Sequence, residues 1–292
     1  GYLRYGILLD PTFPILGLTA VYIFGSGFLY FHTERERNRV RQAFSHYIAP
    51  RLVERLAREP EQLKLGGETR ELTVLFSDVR GFTGIAEGFR EDPGRLIELM
   101  NRLLTPLSNA ITERSGTIDK YIGDAIMAFW NAPLDNPDHC RQACEASLDM
   151  IARLRVLNEA RLEESVARGE EGQVVPLKLG IGIATGSAIV GNMGSALRFD
   201  YSALGDAVNL ASRLENLTGY YGVGILVSET ACRIGAPGLA VLEIDTVRVK
   251  GREKPERIWT ILGGSDLTTD PAFQSFTDRF SAALSAYRQQ DW

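Results

Sequence analysis

Cysteine is scarce in this chain of 292 residues. Cys140, Cys144 and Cys232 cannot build a disulfide framework, which points to a reducing compartment for most of the chain. An excess of positive charge is also missing. Lys and Arg number 32 against 37 Asp and Glu, which argues against nucleic acid as a partner. There is no repeat and no low-complexity tract. The GxxxxGK[ST] run of a P-loop is absent. Gly180 and Gly182 begin a GxG whose later spacing fails the dinucleotide fingerprint, so two strand glycines permitting close backbone approach are expected. His139, Cys140 and Cys144 fit one helix face but lack a fourth ligand nearby, so packed side chains are expected rather than a zinc site. With 45% hydrophobic and 24% charged residues, the chain is neither wholly disordered nor a multi-span membrane protein. Its length suggests two domains.

Charge is absent from one stretch, Pro11 to Phe31. It is long enough to cross a hydrocarbon core of about 30 Å as a helix rising about 1.5 Å per residue. Tyr30 stands near one end, as an interface aromatic would, and Gly25-Ser26-Gly27 would admit a close neighbouring helix. A signal peptide would need basic residues before the run. Here Arg35, Arg37, Arg39 and Arg41 follow it, which places the C-terminal side in the cytoplasm. The expectation is an extracytoplasmic stub at 1–10, with further chain before Gly1. A transmembrane helix at 11–31 in the inner (plasma) membrane and a signalling helix with linker at 32–66 would follow. Within that helix Val40, Phe44, Tyr47, Ile48, Leu52 and Leu56 recur at three- and four-residue spacings, a narrow stripe suited to a two-helix seam. Pro50 would kink or restart it. Leu65-Gly66-Gly67 reads as a linker.

Beyond the linker, strands are expected at 71–76, 117–121, 125–130, 177–184, 187–190, 223–227, 239–250 and 258–262. Helices are expected at 93–113, 137–165, 206–217 and 271–287. Gly123-Asp124 between two short apolar runs is a hairpin signal. Strands and helices do not strictly alternate, which favours an α+β mixed sheet with helices on one face over a doubly wound fold.

Three motifs carry chemistry. In FSDVRGFT, Phe76 to Thr83, a strand ends at Asp78, and Gly81 allows a tight turn whose N–H groups can hold phosphate oxygens. In DKYIGDAIMAFW, Asp119 to Trp130, Asp124 sits at the hairpin tip. Carboxylates at adjacent strand ends can bridge two divalent cations, as phosphoryl transfer requires. In FDYSALGDAVNLASRLE, Phe199 to Glu215, Asn209 and Arg213 lie four apart on a helix, where an amide and a guanidinium can orient a ribose and neutralise a phosphate.

These motifs, in this order and separation, resemble the class III nucleotidyl cyclase catalytic domain over roughly Gly67 to Gly263. AFSHYIAPRLVERL and the apolar run before it resemble bacterial membrane-anchored members with an extracytoplasmic sensor domain upstream. The resemblance implies a ferredoxin-like α+β core at 67–264 followed by a helical tail at 265–292. It also implies head-to-tail homodimers with shared sites, and conversion of ATP to 3′,5′-cyclic AMP and pyrophosphate. Asp78 and Asp124 match the two metal-binding aspartates, for Mg²⁺ or Mn²⁺, two per site, with the Val79 carbonyl as a further ligand. Gly81, Phe82 and Thr83 would line the phosphate loop. Lys120 matches the purine-reading lysine, Asn209 the ribose-orienting amide and Arg213 the transition-state arginine. Lys254 is the expected basic residue for the terminal phosphates. One position departs from the pattern: after Tyr201 most adenylyl members carry Asp or Thr, and here it is Ser202. A hydroxyl donates as well as accepts, so Ser202 is expected to reject a guanine carbonyl less firmly than Asp would.

Overall fold

The computed structural model describes residues 15–26, 66–169, 174–195, 199–248 and 255–290. The chain divides into two units, Gly1–Ala57 and Arg58–Trp292. In the first, only 15–26 is described, as a helix (α1) with every side chain exposed. Among the described residues no helix is long and apolar enough to cross a membrane. The rest of the expected span at 11–31, and the expected signalling helix with linker at 32–66 except for its last residue, lie outside them.

Two long strands organise the second unit. β1 (Gly66–Val79) and β4 (Leu179–Gly194) pair antiparallel from Gly66↔Asn192 to Val79↔Leu179. The expected linker glycines Gly66 and Gly67 therefore open β1. The expected pair of strands around Gly186 is one strand, because Gly186 pairs with Leu72 and the ladder to β1 carries the chain straight through it. Around this pair stand β2 (Thr117–Ile122), β3 (Ala125–Trp130), β5 (Phe199–Leu204), β6 (Ile225–Ser228), β7 (Ala240–Val247) and β8 (Glu256–Gly263). Their order is β2-β3-β1-β4-β6-β8-β7, with β5 on the far half of β4. The β4–β6 pair is parallel, and the other pairs are antiparallel, so the α+β mixed sheet is as expected. β5 was not expected as a strand.

The helices are α2 (Phe82–Glu87), α3 (Pro93–Glu113), α4 (His139–Ala167), α5 (Asp206–Tyr221), α6 (Glu229–Gly235), α7 (Ser265–Thr268) and α8 (Pro271–Gln289). α3 starts where Asp92 accepts a hydrogen bond from the Arg95 N–H at 3.2 Å and Pro93 presets the first turn. Its Leu99, Leu103, Leu107 and Ile111 form one buried stripe.

Strand alternation sends Leu75 and Val79 to one face, under α3, α4 and α6, and Leu72 and Val74 to the other, under α5. Helices thus cover both faces, contrary to the one-face expectation. The correction comes from α5. Its Leu210, Ala211 and Leu214 are as buried as any residues in the sheet. His139, Cys140 and Cys144 are buried on α4. His139 Nδ1 meets Thr73 Oγ1 at 2.7 Å, and Cys140 Sγ meets Thr185 Oγ1 at 3.2 Å. These side chains tie α4 to the sheet.

Candidate active site

The end of β1 and the β2–β3 turn bring Asp78 and Asp124 together. β1 and β3 are neighbours in register, with Ser77 opposite Ile126, so the strand end and the hairpin tip fall side by side. The Val79 N–H donates to Asp124 Oδ2 at 3.2 Å. Burial, then the Asp124 charge and a hydrogen bond to it, push the Asp78 carboxyl up to about 6, against the pull of the Val79 N–H.

A third carboxyl, which sequence reasoning did not single out, faces the same pair. Glu215 lies on α5, over Gly180, the cross-strand partner of Asp78: a methyl group at Gly180 would stand 2.8 Å from Glu215 Oε1. Burial first, then the charge of Asp78, push Glu215 up to about 7, and Arg80 pulls the other way. Arg80 is anchored by its N–H to Lys178 O at 2.8 Å and by its guanidinium to Val223 O. The only sequence signal for Glu215 is its place at the end of the third motif.

Three partly buried carboxyls face one another here, and the proton affinity of two of them, Asp78 and Glu215, is raised. A divalent cation would offset the negative charge of this donor set. Among the described residues, however, no three His, Cys, Asp or Glu side chains converge closely enough to hold an ion by themselves. Asp78 and Asp124 could hold an ion only together with other donors, such as substrate phosphates and water.

Next to Asp78, Gly81 adopts φ 69°, which a side chain would resist, and α2 starts at Phe82 with no side-chain cap. The first N–H groups of a helix have no intrahelical partner. Here Gly84 and Ile85 donate back to Gly81 O, so the N–H groups of Phe82 and Thr83 precede the first helical bonds. Phe82 itself packs on the core.

Lys120 and Ser202, from β2 and β5, meet around Asp119. Ser202 Oγ donates to Asp119 Oδ2 at 2.6 Å, and Lys120 Nζ lies 3.3 Å from Asp119 Oδ1. Sequence reasoning had no role for Asp119.

Asn209 and Arg213 lie on α5 as expected. Asn209 is exposed and Arg213 half-buried, and neither side chain is bonded among the described residues. α5 owes its position to Gly182. A methyl group there would stand 2.9 Å from Glu215 Cα and closer still to Ala211 O and Glu215 N. The close approach expected of the β4 glycines is thus what seats the helix. Lys254 lies outside the described residues.

The model of the "Adenylate and Guanylate cyclase catalytic domain" family matches residues 67–263. "Adenylate cyclase" of Anabaena cylindrica is 34% identical over 224 residues, covering 75% of this chain and 42% of that protein. "Adenylate cyclase 1" of Rhizobium meliloti (strain 1021) is 30% identical over 232 residues, covering 77% and 33%. The chain thus spans less than half the length of these curated relatives. Among solved structures, the guanylyl cyclase Cya2 is similar with a TM-score of 0.60 and 34% identity, covering 68% of this chain and 95% of that one.

Proposed function

The chain belongs to the adenylate and guanylate cyclase catalytic domain family, and from that premise we propose that it converts ATP to 3′,5′-cyclic AMP and pyrophosphate, at sites shared between the two chains of a homodimer, for intracellular signalling. The observation that carries the reading is the Asp78–Asp124 pair, held together where burial makes uncompensated negative charge costly.

Asp78, Asp124 and the Val79 carbonyl would hold two divalent cations, Mg²⁺ or Mn²⁺. Ions held there would lower the pKa of the ribose 3′-hydroxyl and offset phosphate charge. The chain's own groups do the rest. The N–H groups from Gly81 to Thr83 receive phosphate oxygens, with Lys254 as the basic residue at the terminal phosphates. Asn209 fixes the ribose so that its 3′-oxygen lines up behind the α-phosphorus. As the O3′–P bond forms and the bond to the departing pyrophosphate breaks, Arg213 stabilises the charge gathered on the α-phosphate oxygens. Lys120 donates to adenine N1, and Ser202 accepts from the N6 amine.

The likeness to a guanylyl cyclase structure raises GTP as a second substrate reading. Lys120 opposes it, because an ammonium would face the guanine N1–H, donor against donor. Among the described residues the side chains of Asn209 and Arg213 engage no partner, which leaves them available to a site completed by a second chain. The uncharged run at 11–31 and the arginines after it support a membrane anchor in the inner (plasma) membrane, with the enzyme on the cytoplasmic side and a sensor domain upstream.

Complementation tests the shared site. Asp78→Ala and Arg213→Ala homodimers should each be inactive, whereas mixed chains form one intact site and regain part of the cyclase activity. Demonstrated heterodimers that stay inactive would refute the sharing.

A further inference from the structure

β2 carries a bulge at Asp119. Ile118 faces Ala128 and Lys120 faces Met127 on β3, so Asp119 has no cross-strand partner of its own. In a regular strand consecutive side chains point to opposite faces, and a bulge breaks that alternation and re-aims a side chain. Here it lets consecutive Asp119 and Lys120 approach each other, Nζ to Oδ1 at 3.3 Å. The Asp119 side chain is fully buried, whereas Lys120 is 42% exposed. β5 delivers Ser202 from the other side, with Oγ donating to Asp119 Oδ2 at 2.6 Å.

An ionised carboxylate only accepts hydrogen bonds, and a serine hydroxyl has a single proton. That proton is committed to Asp119. What Ser202 has left for anything else is lone pairs. We propose that Asp119 is a positioning residue for base selection. By taking the Ser202 proton it turns an ambivalent hydroxyl into an acceptor, matched to the exocyclic amine of an adenine-type base and mismatched to the carbonyl oxygen of a guanine-type base. The same carboxylate holds the Lys120 ammonium beside that acceptor as the neighbouring donor. The inference rests on the cyclase reading above, in which Lys120 and Ser202 meet the base.

The arrangement is costly without such a use. Burial pushes the Asp119 carboxyl up, and Ser202, Lys120 and the Ala203 N–H pull it back toward the charged form. Asp119 Oδ1 has no hydrogen bond among the described residues, so its compensation comes from the Lys120 charge. The bond also revises the expectation of loose reading at Ser202. The chain recovers acceptor character there from the carboxylate behind the hydroxyl.

The test is the ATP:GTP ratio of kcat/KM in the wild type, Asp119→Ala, Asp119→Asn, Ser202→Ala and the Asp119→Ala/Ser202→Ala double variant. Asp119→Ala should lower the ratio about ten-fold, because the released hydroxyl can donate to guanine O6. Ser202→Ala should lower it by a similar factor. The double variant should fall no further than either single change, since both remove one device. Asp119→Asn should keep most of the ratio, because its amide oxygen still accepts. A ratio unchanged in Asp119→Ala or in Ser202→Ala would overturn the proposal. So would a full-sized Asp119→Ala effect in the Ser202→Ala background, or a ratio as low in Asp119→Asn as in Asp119→Ala. Should Asp119→Ala not fold, Ser202→Ala and Asp119→Asn still decide the matter. The cyclase reading fails separately, if the wild type forms no cyclic nucleotide. In that event competition of ATP and GTP against a fluorescent ATP analogue reads the same ratios as affinities, with the same expected and overturning results.

Discussion

Replacing Gly182 with alanine adds one methyl group and should disable the protein more than most larger changes. The methyl would stand 2.9 Å from Glu215 Cα and nearer still to Ala211 O and Glu215 N. All three are backbone atoms of α5, so no side-chain rotation relieves the overlap. Comfortable carbon–carbon separation is about 3.5–4.0 Å, so the helix must retreat by about 1 Å. Overpacking of this kind costs about 1–3 kcal/mol of stability. The functional loss should be larger than the stability loss suggests, because α5 carries Asn209 and Arg213. A misplacement of about 1 Å can cost about 100-fold in rate. Gly219, on the same helix, is the matched control: a methyl there meets nothing within 4 Å. Gly219→Ala should stabilise by about 0.5–1 kcal/mol through helix propensity and leave turnover unchanged. Thermal unfolding and kcat/KM for ATP, measured on both variants, separate the two effects. A Gly182→Ala protein with wild-type melting and wild-type turnover would refute the argument that this close approach seats the helix.

The carboxyl cluster makes a pH prediction for the metal-free protein. Asp78 and Glu215 have folded pKa values of about 6 and about 7, above their ordinary 3.8 and 4.5. An acid whose pKa rises on folding costs stability once ionised. The cost is absent below the unfolded values, grows as pH rises through the folded ones, and is complete above them. Glu215→Gln should therefore raise the melting temperature at pH 8 and change it little at pH 4, with an effect at pH 8 of about 2 kcal/mol. A pH-independent effect would contradict the cause given. Mg²⁺ with a non-reactive ATP analogue should raise the melting temperature of the wild type. That rise should shrink sharply in Asp78→Ala or Asp124→Ala, and an equal rise in all three would remove these aspartates from the metal site.

The parts of this molecule legible in its sequence are those fixed by local chemistry. The Gly123-Asp124 hairpin, the helix beginning at Pro93 and the carboxylates at apolar strand ends all announce themselves within a few residues. The misreadings have tertiary causes. Gly186 reads as a break, yet β1 supplies a ladder that carries β4 across it. FDYSAL reads as the lead-in to a helix and becomes a strand because the far half of β4 has an open edge to pair with. Asp119 looks like any polar strand residue until the bulge turns it toward Lys120 and Ser202. Glu215 looks like a helix-surface acid until glycines at 180 and 182 bring α5 down onto the strand beside Asp78.

Cyclisation of ATP by this chain is open to direct measurement. The direct measurement is to incubate the purified protein with ATP or GTP and Mg²⁺ or Mn²⁺, then identify the nucleotide product by chromatography and mass. ATP should yield 3′,5′-cyclic AMP and pyrophosphate in equal amounts, with a lower kcat/KM for GTP. Cyclic GMP formed with the higher kcat/KM, or hydrolysis of ATP to linear products alone, would contradict it.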